Sequence, residues 1–219
     1  MPFDPATFLS DPTIARIADV IHAIDIEDGA DEVKRKGQRR AAVLMPLVMR
    51  ERDWHVILTQ RPMHMPRHPG QVSFPGGRVE PGENTLDAAL RETHEEVGLN
   101  DREIHIIGRL DSFNAVSDFR VTPYVGLIDP SAQTVADPSE VADIFEVPLP
   151  FFMTAQNHVR RDMTFGGEPH TFFDMPYTDE RGTFRNVWGM TSMMIFRLYQ
   201  KLHPERFDRN DFPPSFFSL

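Results

Sequence analysis

The chain contains no cysteine, which excludes disulfides, thiolate metal sites and cysteine nucleophiles. It also lacks any apolar run near the roughly 18 residues that a membrane span needs. The N-terminal stretch MPFDPATFLSDPTI carries acids and prolines, with no basic segment leading into an apolar one. Neither a secretory leader nor an arginine-rich transit peptide is expected from it. The final residues, Phe217-Ser218-Leu219, are not the S-K-L peroxisomal address. Together these absences favour the cytoplasm and no membrane association. Positive charge is scarce as well, with 23 Lys and Arg against 33 Asp and Glu and a net charge of −10. That balance argues against nucleic-acid binding, which relies on basic surface to neutralise phosphates. It is no obstacle to a small anion held by local cations.

The 219 residues, 40% of them hydrophobic, suit one sizeable domain with decorations. No internal repeat and no low-complexity tract is present. Asp11-Pro12 marks a helix start, with Ile14, Ile17, Ala18, Ile21 and Ile24 on one face. A charged linker over residues 25–38 passes from acidic to basic. Strands are expected at 41–49 and 54–60, joined by a tight polar turn at 50–53. A helix follows over about 84–97, then strands near 103–110 and 120–128. A helical turn near Glu140, hairpin-like segments at 158–165 and 170–173, and a helix over 190–202 complete the order. The tail, 207–219, carries phenylalanines and paired prolines suited to strapping onto the core or onto a second subunit. The expected division is 1–38 as N-terminal helix and linker, 39–203 as the main domain, and 204–219 as the tail.

The most informative segment is GRVEPGENTLDAALRETHEEVGL, from Gly77 to Leu99. Leu86, Ala89, Leu90, Thr93 and Val97 recur at helical steps and define one buried stripe. At about 100° per residue, Glu92, Glu95 and Glu96 fall in one sector away from that stripe. Three acids on one face repel each other unless a positive group sits among them. A solvated acidic face would interleave lysines at four-residue spacing, and this helix has none. Arg91, its only arginine or lysine, suits a partner that orients the carboxylates. Such a density of carboxylate oxygens binds hard divalent cations, Mg²⁺ or Mn²⁺, which usually serve phosphate chemistry. Gly98 can take the left-handed conformation that ends a helix. Gly76 and Gly77 allow the backbone to approach a metal or phosphate closely.

Gly77, Glu83, Arg91, Glu92, Glu95, Glu96, Gly98 and Leu99 stand at the spacing of the Nudix box, and Thr93 alone departs, where an aliphatic residue is the rule. The chain therefore resembles the Nudix hydrolases. The resemblance implies an α/β (α+β) Nudix fold, a mixed β-sheet sandwiched between α-helices, and metal-assisted attack of water on a nucleoside diphosphate derivative. It implies Glu92 and Glu96 as leading metal ligands, Glu95 as ligand or base, and the Gly76 carbonyl as a further ligand. Arg91 would hold the glutamates and Glu83 would brace the loop. A Nudix fold kept only to bind a nucleotide would commonly have lost box glutamates, and all are intact here.

Upstream, ILTQRPMHMPRHPGQVSFPGG (57–77) concentrates Arg61, His64, Arg67 and His68 in a proline-rich loop. Prolines reduce the entropy lost on ordering, and arginine offers paired donors to phosphate. This segment resembles the second signature of the coenzyme A pyrophosphatase branch: Leu58, Thr59, Arg61, Gly70, Phe74, Pro75, Gly76 and Gly77 fall in place. Ile57 replaces a leucine, Pro62 stands where Ser or Ala is the rule, and Pro66 stands where a second arginine belongs, with Arg67 one residue later. DFRVTPYVG, SEVADIFEVPLPFF and VWGMTS resemble further segments of that branch, so the likeness covers roughly 40–202. It implies hydrolysis of CoA or its thioesters to 3′,5′-ADP and (acyl-)4′-phosphopantetheine, with the 3′-phosphate meeting some of Arg61, Arg67, His68 and Arg78. ADP-ribose, NADH or a dinucleoside polyphosphate is the alternative substrate. Glu140 and Glu146 either supply a later base or ligand or simply flank a short helix. Met190, Met193, Met194 and Phe196 read as core, with an acyl or pantetheine channel as the alternative. The apolar tail is compatible with a homodimer.

Overall fold

In the computed structural model, residues 3–24, 37–115, 118–165, 167–213 and 216 are described. Two short N-terminal helices, α1 (Ala6–Leu9) and α2 (Pro12–Val20), precede strands β1 (Arg39–Arg50), β2 (Asp53–Gln60), β3 (Val72–Ser73) and β4 (Gly76–Arg78). Helix α3 (Thr85–Val97) leads to β5 (Ile104–Arg109), β6 (Phe113–Asn114), β7 (Phe119–Ile128) and β8 (Asp143–Pro148). Then come α4 (Leu149–Phe152), β9 (Val159–Phe165), β10 (Glu168–Thr178), β11 (Phe184–Val187) and α5 (Gly189–Leu202).

Alternation along β1 explains the layering. Ala41, Met45 and Leu47 point into one apolar cluster, and Ala42, Leu44 and Val48 into another. A strand buried on both faces belongs to a sheet covered on both sides. Strand β1 pairs parallel with β7 and antiparallel with β2 and β4. Strands β3 and β8 pair with β2, and β5 and β6 with β7, all antiparallel. The sheet is therefore mixed. Helix α3 covers one face through Ala88, Ala89 and Val97. Helices α2 and α5 cover the other through Ile14, Ile17, Met193, Met194 and Leu198. This is the mixed sheet between helices that the sequence implied. A second sheet, β11-β10-β9, packs on α5 through β10.

Two readings need correction. Helix α2 ends at Val20, because Ile21 turns extended and His22 bridges the edge of β5, exchanging backbone bonds of 2.9 Å with Arg109. Ile21 stays buried, while Ile24 is exposed. The helical turn expected near Glu140 is present as a single turn, in which Glu140 and Val141 N–H donate to Asp137 O, but it leads into β8, a strand not foreseen. In that strand only Phe145 and Val147 alternate inward, too short a pattern to register in isolation.

Phe207, Phe212 and Phe216 of the tail pack on the chain's own core, with Phe216 fully buried and stacked 4.4 Å from Phe212. These side chains are thus engaged within one chain rather than free for a second subunit. Met193, Met194 and Phe196 are core, and Met190 packs at its margin, while Phe196 also borders a cavity of about 320 Å³ with His158, Phe173, Tyr199, Phe207 and Phe212. The expected linker at 25–36 and tail residues 214–215 and 217–219 lie outside the described residues. No helix among the described residues is long and apolar enough to cross a membrane.

Candidate functional site

Local sequence sets the helix that carries the glutamates. Asn84 caps α3 by accepting from the Asp87 N–H at 2.8 Å, and Gly98 ends it in the left-handed region at φ 74°. Strand β4 pairs with β1 in the sheet, and both pack against this helix. A Cβ on Gly76 would stand 2.4 Å from the Ala42 carbonyl oxygen, and one on Gly77 would stand 2.4 Å from the Glu92 carboxyl carbon. The glycine pair is therefore required by the sheet behind it and the carboxylate in front of it.

The buried face of α3 is Thr85, Ala88, Ala89, Thr93, Glu96 and Val97. Leu86 and Leu90 are only half-buried. The expected separation of the three glutamates from the apolar stripe is thus overturned. Glu96 sits in the middle of the buried face at 5% exposure, Glu92 is half-buried, and Glu95 alone is open to solvent. Glu96 can lie there because Gly76 and Gly77 carry no side chain to fill the space over the helix and Gly76 N–H donates to its Oε2 at 3.1 Å.

Arg91 is the hub of the site. Its Nε and Nη2 donate to Glu83 Oε1 and Oε2 at 2.9 and 3.1 Å. Its Nη1 donates to Glu92 Oε1 at 3.0 Å and Glu95 Oε2 at 2.9 Å, and Nη2 also reaches the Arg78 carbonyl at 3.0 Å. Glu83 Oε2 further accepts from Glu80 N–H at 2.9 Å, and Arg40 donates to the Glu83 carbonyl at 3.1 Å. One guanidinium therefore links the loop after β4 to the helix and aligns two of its carboxylates.

The electrostatics separate these acids. Arg91 holds the Glu83 carboxyl below the usual carboxylate range. Burial pushes Glu92 upward against the pull of Arg91. Burial pushes Glu96 up to about 7; the Gly76 N–H and the Arg61 charge oppose this, and the negative charges of Glu92 and Glu140 add to it. Glu140 is the residue that sequence analysis left undecided. Its turn docks on the end of α3, where Val135 N–H donates to Val97 O at 2.9 Å and Asp137 N–H to Glu96 O at 3.1 Å. The turn is tied to β2 by Ala142 N–H on Gln60 O at 2.8 Å. Glu146 has another use, a forked pair with Arg50 at 2.7 to 3.1 Å.

Of the basic residues predicted to meet the substrate, Arg61 is the one whose charge acts on Glu96. Its Nε is buried with no hydrogen-bond partner among the described residues. Arg67 and His68 are exposed in the loop that follows, with His68 at φ 54° where the chain turns to Gln71. Arg78 is exposed too, and only its carbonyl is engaged by Arg91. The structure thus brings Glu92, Glu96 and the Gly76-Gly77 pair together, braces the glutamates with Glu83 and Arg91, and leaves Arg67, His68 and Arg78 on the surface.

This arrangement suits a hard cation. A buried carboxylate with one backbone donor, beside two further negative charges, is costly without positive charge, and its oxygens are the ligands that Mg²⁺ and Mn²⁺ prefer. Among the described residues no three such side chains are gathered at ligand spacing.

A glycine strand pinned beneath a glutamate-bearing helix, on a mixed sheet covered on both faces, defines a hydrolase domain of one class. Residues 38–160 match the NUDIX domain, and the chain belongs to the Nudix family. It is a Nudix hydrolase acting on a diphosphate substrate, in a family that generally uses divalent metals. The Nudix hydrolase NudL of Enterobacter sp. (strain 638) is 41% identical over 162 residues, which cover 74% of this chain and 81% of that one. NudL of Yersinia enterocolitica is 35% identical over 164 residues, with the same coverages of 74% and 81%. Among solved structures, a Caenorhabditis elegans Ap4A hydrolase binary complex aligns with a TM-score of 0.44 and 22% identity, over 51% of this chain and 81% of that chain.

Proposed function

We propose that the chain cleaves the pyrophosphate of coenzyme A or its thioesters in the cytoplasm, releasing 3′,5′-ADP and 4′-phosphopantetheine or its acyl form. The observation that carries this reading is Arg61, the arginine of the coenzyme A signature, whose Nε is buried without a partner among the described residues while its charge is felt by Glu96. A buried guanidinium nitrogen left unpaired is costly, and a phosphate oxygen would satisfy it. Glu92 and Glu96 would hold Mg²⁺ or Mn²⁺, with the Gly76 carbonyl as a further ligand. Such an ion, when bound, neutralises pyrophosphate oxygens and lowers the pKa of an attacking water.

The chain's own residues do the rest. Glu95 is exposed and has one oxygen engaged by Arg91, so its other oxygen can take a proton from water. As the new O–P bond forms, the bridging P–O bond breaks and the leaving phosphate carries away the electron pair. Arg91 and Glu83 keep the helix and loop in register through this step. Arg61, with Arg67, His68 and Arg78 on the surrounding surface, supplies positive charge for the substrate phosphates, the 3′-phosphate among them.

A second reading takes a nucleoside diphosphate without a 3′-phosphate, such as ADP-ribose, NADH or a dinucleoside polyphosphate. Pro66, in place of the signature's second arginine, favours it. Product formation from CoA, dephospho-CoA, ADP-ribose and NADH, each with Mg²⁺ or Mn²⁺, separates the two. The first reading expects fastest turnover of CoA, slower turnover of dephospho-CoA, and collapse in Glu96→Gln. Equal turnover of CoA and dephospho-CoA discards the 3′-phosphate clamp, and faster turnover of ADP-ribose or NADH supports the second reading.

A further inference from the structure

Among the described residues strand β9 is a sheet edge with no strand on its outer side, and its Arg160 reaches the tail at the Asp211 carbonyl, 2.9 Å away. It is the terminal strand of β11-β10-β9, and among the described residues only β10 pairs with it. Residues 159–164 are all exposed, on both faces of the strand. Val159 at 50% and Met163 at 40% are two of the few large apolar side chains left open to solvent among the described residues. An exposed edge presents unpaired N–H and C=O groups and invites another strand unless something discourages it. Here the charges in the middle of the strand decide which strand fits.

We propose that β9 pairs antiparallel with β9 of a second copy of this chain, in the register centred on Arg161. A two-fold axis perpendicular to a sheet places residues of the same face opposite each other, so the register must be centred on one residue. Centring on Arg161 sets Arg160 opposite the second copy's residue 162, an aspartate, and Val159 opposite its residue 163, a methionine, with each pair occurring twice. On the inner face, beside Thr171 and Phe173, Arg160 already bonds Asp162 of its own strand at 3.0 and 3.1 Å. Adding the second copy makes an alternating group of two arginines and two aspartates. On the outer face the two apolar pairs flank the two Arg161 side chains, each ion-paired to Asp174 of its own chain. Centring on Asp162 instead would oppose two aspartates and set Arg161 against methionine, with no pair of opposite charge. Cross-strand pairs of opposite charge and of apolar residues each contribute about 0.2–1 kcal/mol, and like charges opposed cost similar amounts.

The absence of native cysteine makes the register directly testable in the full-length chain. In the double variant Val159→Cys with Met163→Cys, the two positions within one strand lie about 13 Å apart and cannot bridge. Across the proposed axis they face each other at about 5 Å. Mild oxidation is expected to give a covalent dimer that a reductant dissolves, and neither single variant should yield it. Light scattering of the cysteine-free chain should give twice the 25.1 kDa chain mass. Asp162→Arg should halve that mass, and Arg160→Asp combined with Asp162→Arg should restore it by exchanging the charges of each pair. A single-chain mass across the accessible concentrations overturns the proposal. So does a dimer that survives Asp162→Arg while the double cysteine variant stays uncrosslinked, since its interface then lies elsewhere. None of these readouts depends on which diphosphate is hydrolysed.

Discussion

Arg91 grips Glu83 through two parallel bonds of 2.9 and 3.1 Å, joining the loop after β4 to the middle of α3. The same guanidinium also aligns Glu92 and Glu95, so loop position and carboxylate position are set by one side chain. A lysine has the charge but not the planar fork that serves three glutamates and a carbonyl. Arg91→Lys should therefore fold normally while losing about 10- to 100-fold in metal affinity or turnover, as is usual when a group orienting metal ligands is removed. Titrating Mg²⁺ against turnover checks this: the half-saturating concentration should rise, and an unchanged curve would show that Arg91 does not position the ligands.

Two neighbouring glycines should fail differently. On Gly77 an added methyl meets the end of the Glu92 side chain, which can swing aside. Gly77→Ala should keep its thermal midpoint nearly unchanged and lose metal-dependent turnover. On Gly76 the methyl meets the Ala42 carbonyl and the Val43 Cα, which cannot move cheaply, and the backbone stands at φ 149°. Gly76→Ala should cost at least about 1–3 kcal/mol of stability, read as a lowered denaturation midpoint.

Two acids of one short segment should also diverge. The negative charge of Glu140 is felt by Glu92 and Glu96, whereas Glu146 is tied to Arg50. Glu140→Gln should weaken turnover several-fold at limiting Mg²⁺ and leave stability alone. Glu146→Gln should leave turnover alone and cost no more than about 1 kcal/mol, because both partners of that pair are partly solvated. Equal effects of the two substitutions on turnover would remove the special standing of Glu140.

His158 gives the fold a pH dependence of known sign. Its ring sits against Phe173, Phe196 and Tyr199, with centroid distances of 6.2, 5.5 and 4.7 Å, and its Nε2 lies 2.7 Å from the Phe152 carbonyl. Burial holds the imidazole below its ordinary value near 6.5, against the smaller opposing pull of that carbonyl. The unfolded chain takes up a proton near pH 6.5 that the folded chain refuses. Stability from the neutral ring is then complete above about pH 6.5 and falls as pH drops toward the folded value, by at most about 1.4 kcal/mol per pH unit. Urea midpoints of the unsubstituted chain and His158→Asn, compared at pH 8 and pH 5.5, should converge at the lower pH. Parallel pH profiles would contradict it.

Much of the frame was legible because its signals are local. The helix from Thr85 to Val97 announces itself by an asparagine cap and a terminal glycine, and β1, β2, β5 and β7 fall within two residues of their expected bounds. What escaped depends on distant partners. Strand β8 forms because Phe145 and Val147 meet the core and Glu146 meets Arg50, which lies 96 residues upstream. The end of α2 is set by a bridge to Arg109, which no periodicity in residues 12–24 reveals. Glu140 nears the glutamates only because its turn is fastened to the last turn of α3 and to Gln60.

By itself the sequence determined the family, the helix that bears the acids, and the chemistry their oxygens can perform, since spacing and residue type are written along one dimension. Only the tertiary structure decided which acid is buried. Helical spacing treats Glu92, Glu95 and Glu96 as near-equals, but β4 lies over one of them and solvent over another. Burial, and with it the proton affinity of each carboxyl, depends on what packs across the helix, and in this chain that is the glycine pair of a strand held in place by β1.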